Sequence, residues 1–160
     1  MVLYLGRWFY LQTCLQSIIG TSSAPQQFVW LWKSGCRGRH KFFFWLLLLD
    51  RLNTMDILRP KNFYLQSYSW VLCQCNVEES LEHLFFECTF SAWCRRLVDI
   101  SWDSSLPIME RLQSARASFG APIFMEIVIL TAWCIWTMSN RVVFDGASPS
   151  LGQWKRSLRE

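Results

Sequence analysis

The chain has 160 residues, a formal net charge of +4 and an apolar content of 52%, with ten tryptophans and twelve phenylalanines. A chain of this length suits one domain and buries roughly two thirds of its unfolded surface, so a core is expected without a metal ion. The seven cysteines are an odd number and do not spread as a disulfide framework. This excludes a small disulfide-stapled scaffold and indicates a reducing, intracellular compartment, nucleus or cytoplasm.

The first 27 residues form an unassigned N-terminal extension. Its apolar start is interrupted by Arg7 and has no basic segment before it, so it does not fit a secretory signal. The apolar run at residues 42–49 is too short to span a bilayer, which needs about 20 apolar residues. Residues 121–138 are longer but contain Glu126, which favours a buried helix. We therefore expect no membrane partner.

The pattern of apolar residues predicts helices rather than strands. The first helix, over residues 41–52, is apolar on every face and should be buried. A short helix over residues 55–59 follows and ends at Pro60. Residues 60–75 then form a loop.

The next helix carries His83. Asn76, with Glu79 three residues later, resembles a capping box at its start. On an ideal α-helix, His83 and Cys88 would lie about 140° apart, because each residue turns the helix by about 100°. If both residues bind one ion, the helix must unwind before Cys88.

Three more helices are predicted towards the C-terminus. Ser91 is expected to be the N-cap of a helix over residues 91–98, and a short helix follows at residues 109–117. A long apolar helix covers residues 123–144, with a glycine stop two residues later. Residues 147–160 are expected to be a mobile tail. The long helix has three core candidates: Ile129, Trp133 and Trp136.

Potential metal ligands are concentrated in one short stretch, Cys73, Cys75, His83 and Cys88. Thiolates and neutral imidazole are the ligands that Zn²⁺ prefers, and a structural zinc site fills all four tetrahedral positions with them. The alternative is that these cysteines are ordinary small buried apolar residues.

Several motifs resemble the zinc-binding domain of plant non-LTR retrotransposon reverse transcriptases. In chain order they are Trp30-Leu-Trp32-Lys33, Lys41-Phe-Phe-Phe-Trp-Leu-Leu-Leu-Leu-Asp50-Arg51-Leu52-Asn53-Thr54, Glu79 with His83-Leu-Phe-Phe-Glu-Cys88, Trp133-Cys-Ile-Trp136 and Asn140-Arg141-Val-Val-Phe144. The resemblance places the zinc-binding domain at residues 28–100 and a helical continuation with a Trp-rich helix at residues 101–146. The expected fold is mainly α, a small helical domain with a zinc-knuckle-like Cys/His site.

The resemblance implies a structural Zn²⁺ ion with Cys73, His83 and Cys88 among its ligands. The family begins its ligand set with a Cys-x-x-Cys pair, and in this chain only the second cysteine aligns, at Cys73. Trp70 stands where the first cysteine should be. Cys75 is then the candidate to complete the set.

A basic segment offers a second candidate site. Residues 33–61 hold seven Lys and Arg residues against two Asp residues. Basic side chains beside aromatic residues favour phosphate backbones and unstacked bases, so RNA or DNA is a candidate partner. An ordinary solvated face is the alternative. The residues chosen for nucleic-acid contact are Arg37, Arg39, Lys41 and Arg51.

Catalytic residues are harder to find. Polymerase chemistry needs paired aspartates that hold two Mg²⁺ ions, and no adjacent Asp pair occurs. The acids after residue 110 are too few for RNase H chemistry, and no glycine-rich phosphate loop is present. We therefore predict that the chain lacks the catalytic regions of the resembling proteins. It is expected not to be an enzyme and to have no small-molecule substrate.

Three functions remain open from the sequence. The first is a zinc-binding accessory module that assists nucleic-acid or polymerase binding. The second is a protein-interaction or scaffolding fragment that contacts a reverse transcriptase or another chain. The third is a decayed retroelement relic without selected function. Salt-dependent binding of RNA distinguishes the first function from the second.

Overall fold

The computed structural model of the protein describes residues 25–54, 72–73 and 80–159. In this part of the chain every regular element is helical, which confirms the predicted mainly α class. The predicted helix at residues 55–59, the capping box at residues 76–79 and nearly all of the loop at residues 60–75 lie outside it. The elements are α1 (Gln26–Lys33), α2 (Gly38–Leu48), a π turn (His83–Glu87), α3 (Thr89–Arg96), α4 (Ile108–Phe119), α5 (Phe124–Asp145) and α6 (Leu151–Arg159).

Helix α5 is the centre of the fold. It packs against α2, α3, α4, α6 and the π turn, and its 22 residues extend over about 33 Å. The helix ends as the sequence predicts, because Gly146 adopts the left-handed conformation at φ 64°. The N–H of Ala147 then donates to the carbonyl of Arg141 at 3.2 Å, a hydrogen bond typical of glycine-terminated helices.

By length and composition, α5 is also apolar enough to cross a membrane, the one such helix in the described residues. Ten of its 22 residues are buried, and most of them belong to the core of the protein. Ile129 is fully buried, as expected, whereas Trp133 and Trp136 are partly buried at the edge of the core. The composition of α5 therefore reflects contacts with helices on several sides.

Helix α2 begins and ends earlier than the predicted helix at residues 41–52. It buries one face rather than its whole circumference, and Phe42 remains 41% exposed. The buried positions follow a spacing of three and four residues, which places them on the face that contacts α5. They are His40, Phe43, Phe44, Leu47 and Leu48.

Helix α3 begins at Thr89, and Ser91 is not its N-cap. Cys88, at ψ 131°, is the non-helical residue before α3. Ser91 lies inside the helix, fully buried, and its hydroxyl donates to the carbonyl of Leu84 at 2.5 Å. The prediction was wrong because a tertiary partner, rather than a backbone N–H of α3, binds this hydroxyl.

The C-terminal residues differ from the mobile tail expected at residues 147–160, because they form helix α6. Trp154 of α6 is fully buried, and the helix packs on α5 and α3. The backbone N–H of Gln153 donates to the hydroxyl of Ser150 at 3.4 Å, as in an N-cap. Burial of one large aromatic side chain stabilises a helix of nine residues that would not form alone.

Candidate metal centre

Three of the four predicted ligands come together from two separate segments of the chain. Cys73, His83 and Cys88 each offer a ligand atom, and these atoms all lie within 4.8 Å of one another. The Sγ of Cys73 is 3.3 Å from Nε2 of His83. Cys88 is fully buried, His83 is 8% exposed and Cys73 is half-buried. The fourth predicted ligand, Cys75, and the neighbouring Trp70 lie outside the described residues.

The π turn brings His83 and Cys88 onto one face. The N–H of Cys88 donates to the carbonyl of His83 at 2.8 Å, a hydrogen bond between residues five apart. This wider turn holds more residues than an α-helical turn, so residues five apart lie close together. Cys88 then leaves helical geometry at φ −58° and ψ 131°. The predicted break of the α-helix before Cys88 is confirmed.

The start of this helix is set by Ser80. Its hydroxyl accepts a hydrogen bond from the backbone N–H of His83 at 3.2 Å, and its carbonyl accepts one from Leu84 at 2.8 Å. Ser80 therefore acts as an N-cap three residues before His83. The cap fixes the position of the imidazole at the beginning of the π turn.

The two ring nitrogens of His83 face different groups. Nε2 faces the sulfur of Cys73, whereas Nδ1 lies 3.6 Å from Oε2 of Glu87. A carboxylate beside the second ring nitrogen is the usual arrangement for a metal-binding histidine, because it favours the tautomer whose other nitrogen can bind the ion. Sequence reasoning missed Glu87. Its signal was its position four residues after His83, on the same side of a helix.

The donor set fits a zinc ion in chemistry and in spacing. Two sulfurs bound to one zinc ion at about 2.3 Å each would lie about 3.8 Å apart at a tetrahedral angle. Ligand atoms within 4.8 Å of one another therefore need to move by less than about an ångström. Two thiols and one imidazole also match the soft and borderline ligands that zinc prefers.

Arg111 of helix α4 contacts the π turn. Nη1 of Arg111 lies 2.5 Å from Oε1 of Glu82, the residue before His83. The same guanidinium lies 4.7 Å from the centre of the ring of Phe86 and donates to the carbonyls of Ser104 and Leu106. Arg111 thus connects the π turn with the loop that precedes α4.

Cysteines elsewhere in the described residues differ from the cluster. Burial is the main cause that raises the pKa of Cys94 to about 12. Burial also raises the pKa of the Cys36 thiol, although a hydrogen bond with Ser34 opposes it. Metal binding requires the thiolate, so a thiol held neutral in apolar surroundings is a poor ligand. In the described residues, neither Cys36 nor Cys94 belongs to a group of potential metal ligands.

The structure separates Arg51 from the other three basic residues predicted to contact nucleic acid. Arg37 and Arg39 are exposed at the beginning of α2, whereas Arg51 follows the other end of this helix, which is about 16 Å long. Lys41 is half-buried, and its Nζ donates to the carbonyl of Trp32 at 3.0 Å. Of these four residues, Arg37 and Arg39 are the two that line one groove.

Arg37 and Arg39 line a groove of about 560 Å³, which we call the basic groove. The guanidinium of Arg39 lies 5.7 Å from the centre of the ring of Trp133. His40 also lines the groove, and burial, followed by the charges of Arg39 and Arg37, lowers its pKa. Glu126 partly offsets the positive charge, although its Oε1 accepts a hydrogen bond from the N–H of Gly35 at 2.7 Å.

Fold and site together define a small helical protein with a Cys/His group that can hold a metal ion. The family described as zinc-binding in reverse transcriptase matches residues 9–94, more than half of the chain, and the protein belongs to this family. The match starts before residue 28, where the recognisable motifs begin, and ends inside α3. The family is a zinc-binding domain rather than a catalytic one. No curated protein and no solved structure matched the chain.

Proposed function

We propose that the protein is a non-catalytic module in which one structural zinc ion stabilises a helical fold that assists nucleic-acid or polymerase binding. The observation that carries this proposal is the convergence of Cys73, His83 and Cys88 within 4.8 Å. Family membership supports zinc over other metals. The chemistry of the donor set points the same way, because thiolates and imidazole favour zinc over magnesium or calcium.

In this proposal Cys73, His83 and Cys88 bind the ion, and Cys75 completes the set. Four protein ligands leave no open position for a water molecule, so the ion would have a structural role and supply no nucleophile. The zinc ion would join the segment around Cys73 to the π turn. Its binding free energy would therefore add to the stability of the folded protein.

Zinc content measured after mild dialysis tests this proposal. We expect about one equivalent of zinc in the wild-type protein, and His83→Ala should remove most of it because an incomplete ligand set binds far more weakly. The matched control is His40→Gln, which changes the other histidine of the chain. This variant should keep its zinc. A wild-type protein with less than about a tenth of an equivalent, unchanged in His83→Ala, would contradict the proposal.

A second activity, binding of single-stranded RNA, is favoured by the basic groove. Two exposed arginines, one with its guanidinium over the ring of Trp133, offer phosphate contacts and planar cations on which a base can stack. Such binding would be weak and tolerant of sequence, because phosphate contacts carry no sequence information. Binding of a protein partner at the same surface is the competing explanation.

A salt series with single-stranded RNA distinguishes these two possibilities. Each phosphate contact contributes about 0.7 to the slope of log affinity against log salt concentration. Changing Arg37 and Arg39 together to Ala should therefore lower the slope by about 1.4. The control is the double variant Arg51→Ala and Arg96→Ala, which removes the same charge from exposed residues elsewhere. Equal losses in both variants would indicate a general charge effect, and a flat salt response would favour a protein partner.

A further inference from the structure

The carbonyl oxygens of the π turn are held by two side chains of α3. The hydroxyl of Ser91 donates to the carbonyl of Leu84 at 2.5 Å. Arg95 donates from Nη1 to the carbonyl of Phe85 and from Nη2 to that of Phe86, the latter at 3.0 Å. Three successive carbonyls of the segment between His83 and Cys88 are thus bound by side chains of the following helix.

These hydrogen bonds satisfy carbonyl groups at the end of a helix. The last carbonyls of a helix lack partners within the helix, and the chain leaves helical geometry at Cys88. Ser91 and Arg95 lie four residues apart, so they share one face of α3 and point at the same stretch of backbone. Both are buried: Ser91 is fully enclosed and Arg95 is 9% exposed.

The burial of Arg95 is itself informative. Placing a guanidinium in the protein interior is costly unless strong hydrogen bonds compensate for the lost water. Burial lowers the pKa of Arg95 to about 10, so the group still carries its charge at neutral pH. Charge-assisted hydrogen bonds to the carbonyls of Phe85 and Phe86 supply this compensation. The neighbouring Arg96, by contrast, is exposed.

We propose that Ser91 and Arg95 are positioning residues for the metal centre, because they hold the π turn in the wide form that places Cys88 beside His83. If the segment relaxed to an α-helix, the two ligands would lie about 140° apart and could not bind one ion. The inference rests on the proposed binding of zinc by Cys73, His83 and Cys88. It adds that the affinity of the site is set by two residues that never touch the ion.

A metal titration monitored by visible absorption separates positioning from general stabilisation. Co²⁺ is the probe, because its absorption reports tetrahedral thiolate coordination whereas Zn²⁺ is silent, and Zn²⁺ then displaces it in competition. Arg95→Met should weaken Co²⁺ binding by about 10- to 100-fold, as is typical when a residue that orients a ligand is removed. Its absorption band should be weaker at saturation.

Two further variants sharpen the test. Arg95→Lys keeps the charge but loses the fork that reaches two carbonyls, so its affinity should lie between those of the wild type and Arg95→Met. Ser91→Ala removes a single hydrogen bond and should weaken binding by about three- to tenfold. If Arg95→Met does not fold, Ser91→Ala and Arg95→Lys decide the question.

The control is Arg116→Met, because the guanidinium of Arg116 lies 4.2 Å from the centre of the ring of Trp30 rather than at the π turn. This variant should bind Co²⁺ as the wild type does. A wild-type protein without a Co²⁺ band would refute the metal site itself. A wild-type protein with the band, together with Ser91 and Arg95 variants of unchanged affinity and spectrum, would overturn only the positioning role.

Discussion

The π turn and the basic groove are two polar regions built around the same helix, α5, and they are built differently. At the π turn, His83 and Cys88 are buried, and neighbouring side chains bind the backbone on both sides. At the basic groove, Arg37 and Arg39 are exposed. Buried polar groups must be matched by partners, so the π turn has one defined geometry. Exposed cations are screened by salt, which suits weak and reversible contacts.

The largest expected effect concerns α6, which supplies part of the wall of the basic groove. Trp154→Ala should lower the free energy of unfolding by about 3–5 kcal/mol, because it removes a fully buried aromatic side chain. Urea unfolding measures this loss. The matched control is Trp93→Ala, since Trp93 is 53% exposed and its removal should cost about 0.5 kcal/mol or less. Similar losses in both variants would mean that α6 is not docked through Trp154.

Removal of the metal should lower the stability of the protein through the π turn and not through the basic groove. At a free zinc concentration 100 times the dissociation constant, binding should stabilise the wild-type protein by about 2.7 kcal/mol. A chelator should then lower its Tm by about 5–11 °C. His83→Ala should show no response to the chelator, whereas the double variant at Arg37 and Arg39 should respond as the wild type does. A chelator effect that persists in His83→Ala would place the metal elsewhere.

The missing cysteine offers a way to strengthen the metal centre. Trp70→Cys would restore the Cys-x-x-Cys pair with Cys73 and should tighten zinc binding by about tenfold, or about 1.4 kcal/mol. Cys75→Ser should weaken binding in the natural sequence but become harmless in the Trp70→Cys background. Competition with a chromophoric chelator measures both affinities. Equal sensitivity to Cys75→Ser in the two backgrounds would show that Trp70 does not occupy a ligand position.

The smallest effect is a pH dependence that arises at the basic groove. The pKa of His40 is lowered in the folded protein by burial and by Arg39 and Arg37, so the unfolded chain binds the proton more readily. Stability is then fully present above the unfolded pKa, near 6.5, and decreases as the pH falls below it until the folded pKa is reached. Thermal unfolding between about pH 7.5 and 5 measures this decrease.

The pH experiment is best made in the His83→Ala background, where loss of zinc at low pH does not contribute. His40→Gln in that background should remove the part of the decrease that belongs to His40. A decrease of the same size with and without His40 would assign the effect to other groups. In that case, the pH dependence of stability would not distinguish the basic groove from the π turn.

Local signals in the sequence were enough for several elements of the fold. The long apolar pattern predicted α5, and Gly146 predicted where it ends. A glycine readily adopts the left-handed conformation that ends a helix. The spacing of His83 and Cys88 predicted a departure from α-helical geometry, since the angle between residues five apart depends on the turn alone. Ser150 and Gln153 also have the spacing of a capping box, which is a local signal for the start of α6.

Other features required the tertiary structure. The apolar composition of α2 did not reveal which face is buried, because this depends on where α5 lies. Arg95 looked like any surface arginine in the sequence, and only its position in α3 opposite the π turn gives it buried carbonyl partners. Likewise, the length of α2 separates Arg51 from Arg37 and Arg39, which the sequence alone places in one basic segment.

By itself, the sequence determined that the protein is helical, that it belongs with zinc-binding domains of reverse transcriptases and that its candidate metal ligands lie in one short stretch. These properties depend on residue type and short spacing, which the chain carries locally. Only the tertiary structure decided that Cys73 meets His83 and Cys88, that α6 is docked and that Ser91 and Arg95 hold the π turn. These properties join segments distant in the chain or side chains to backbone groups, and burial selects such partners only once the core has formed.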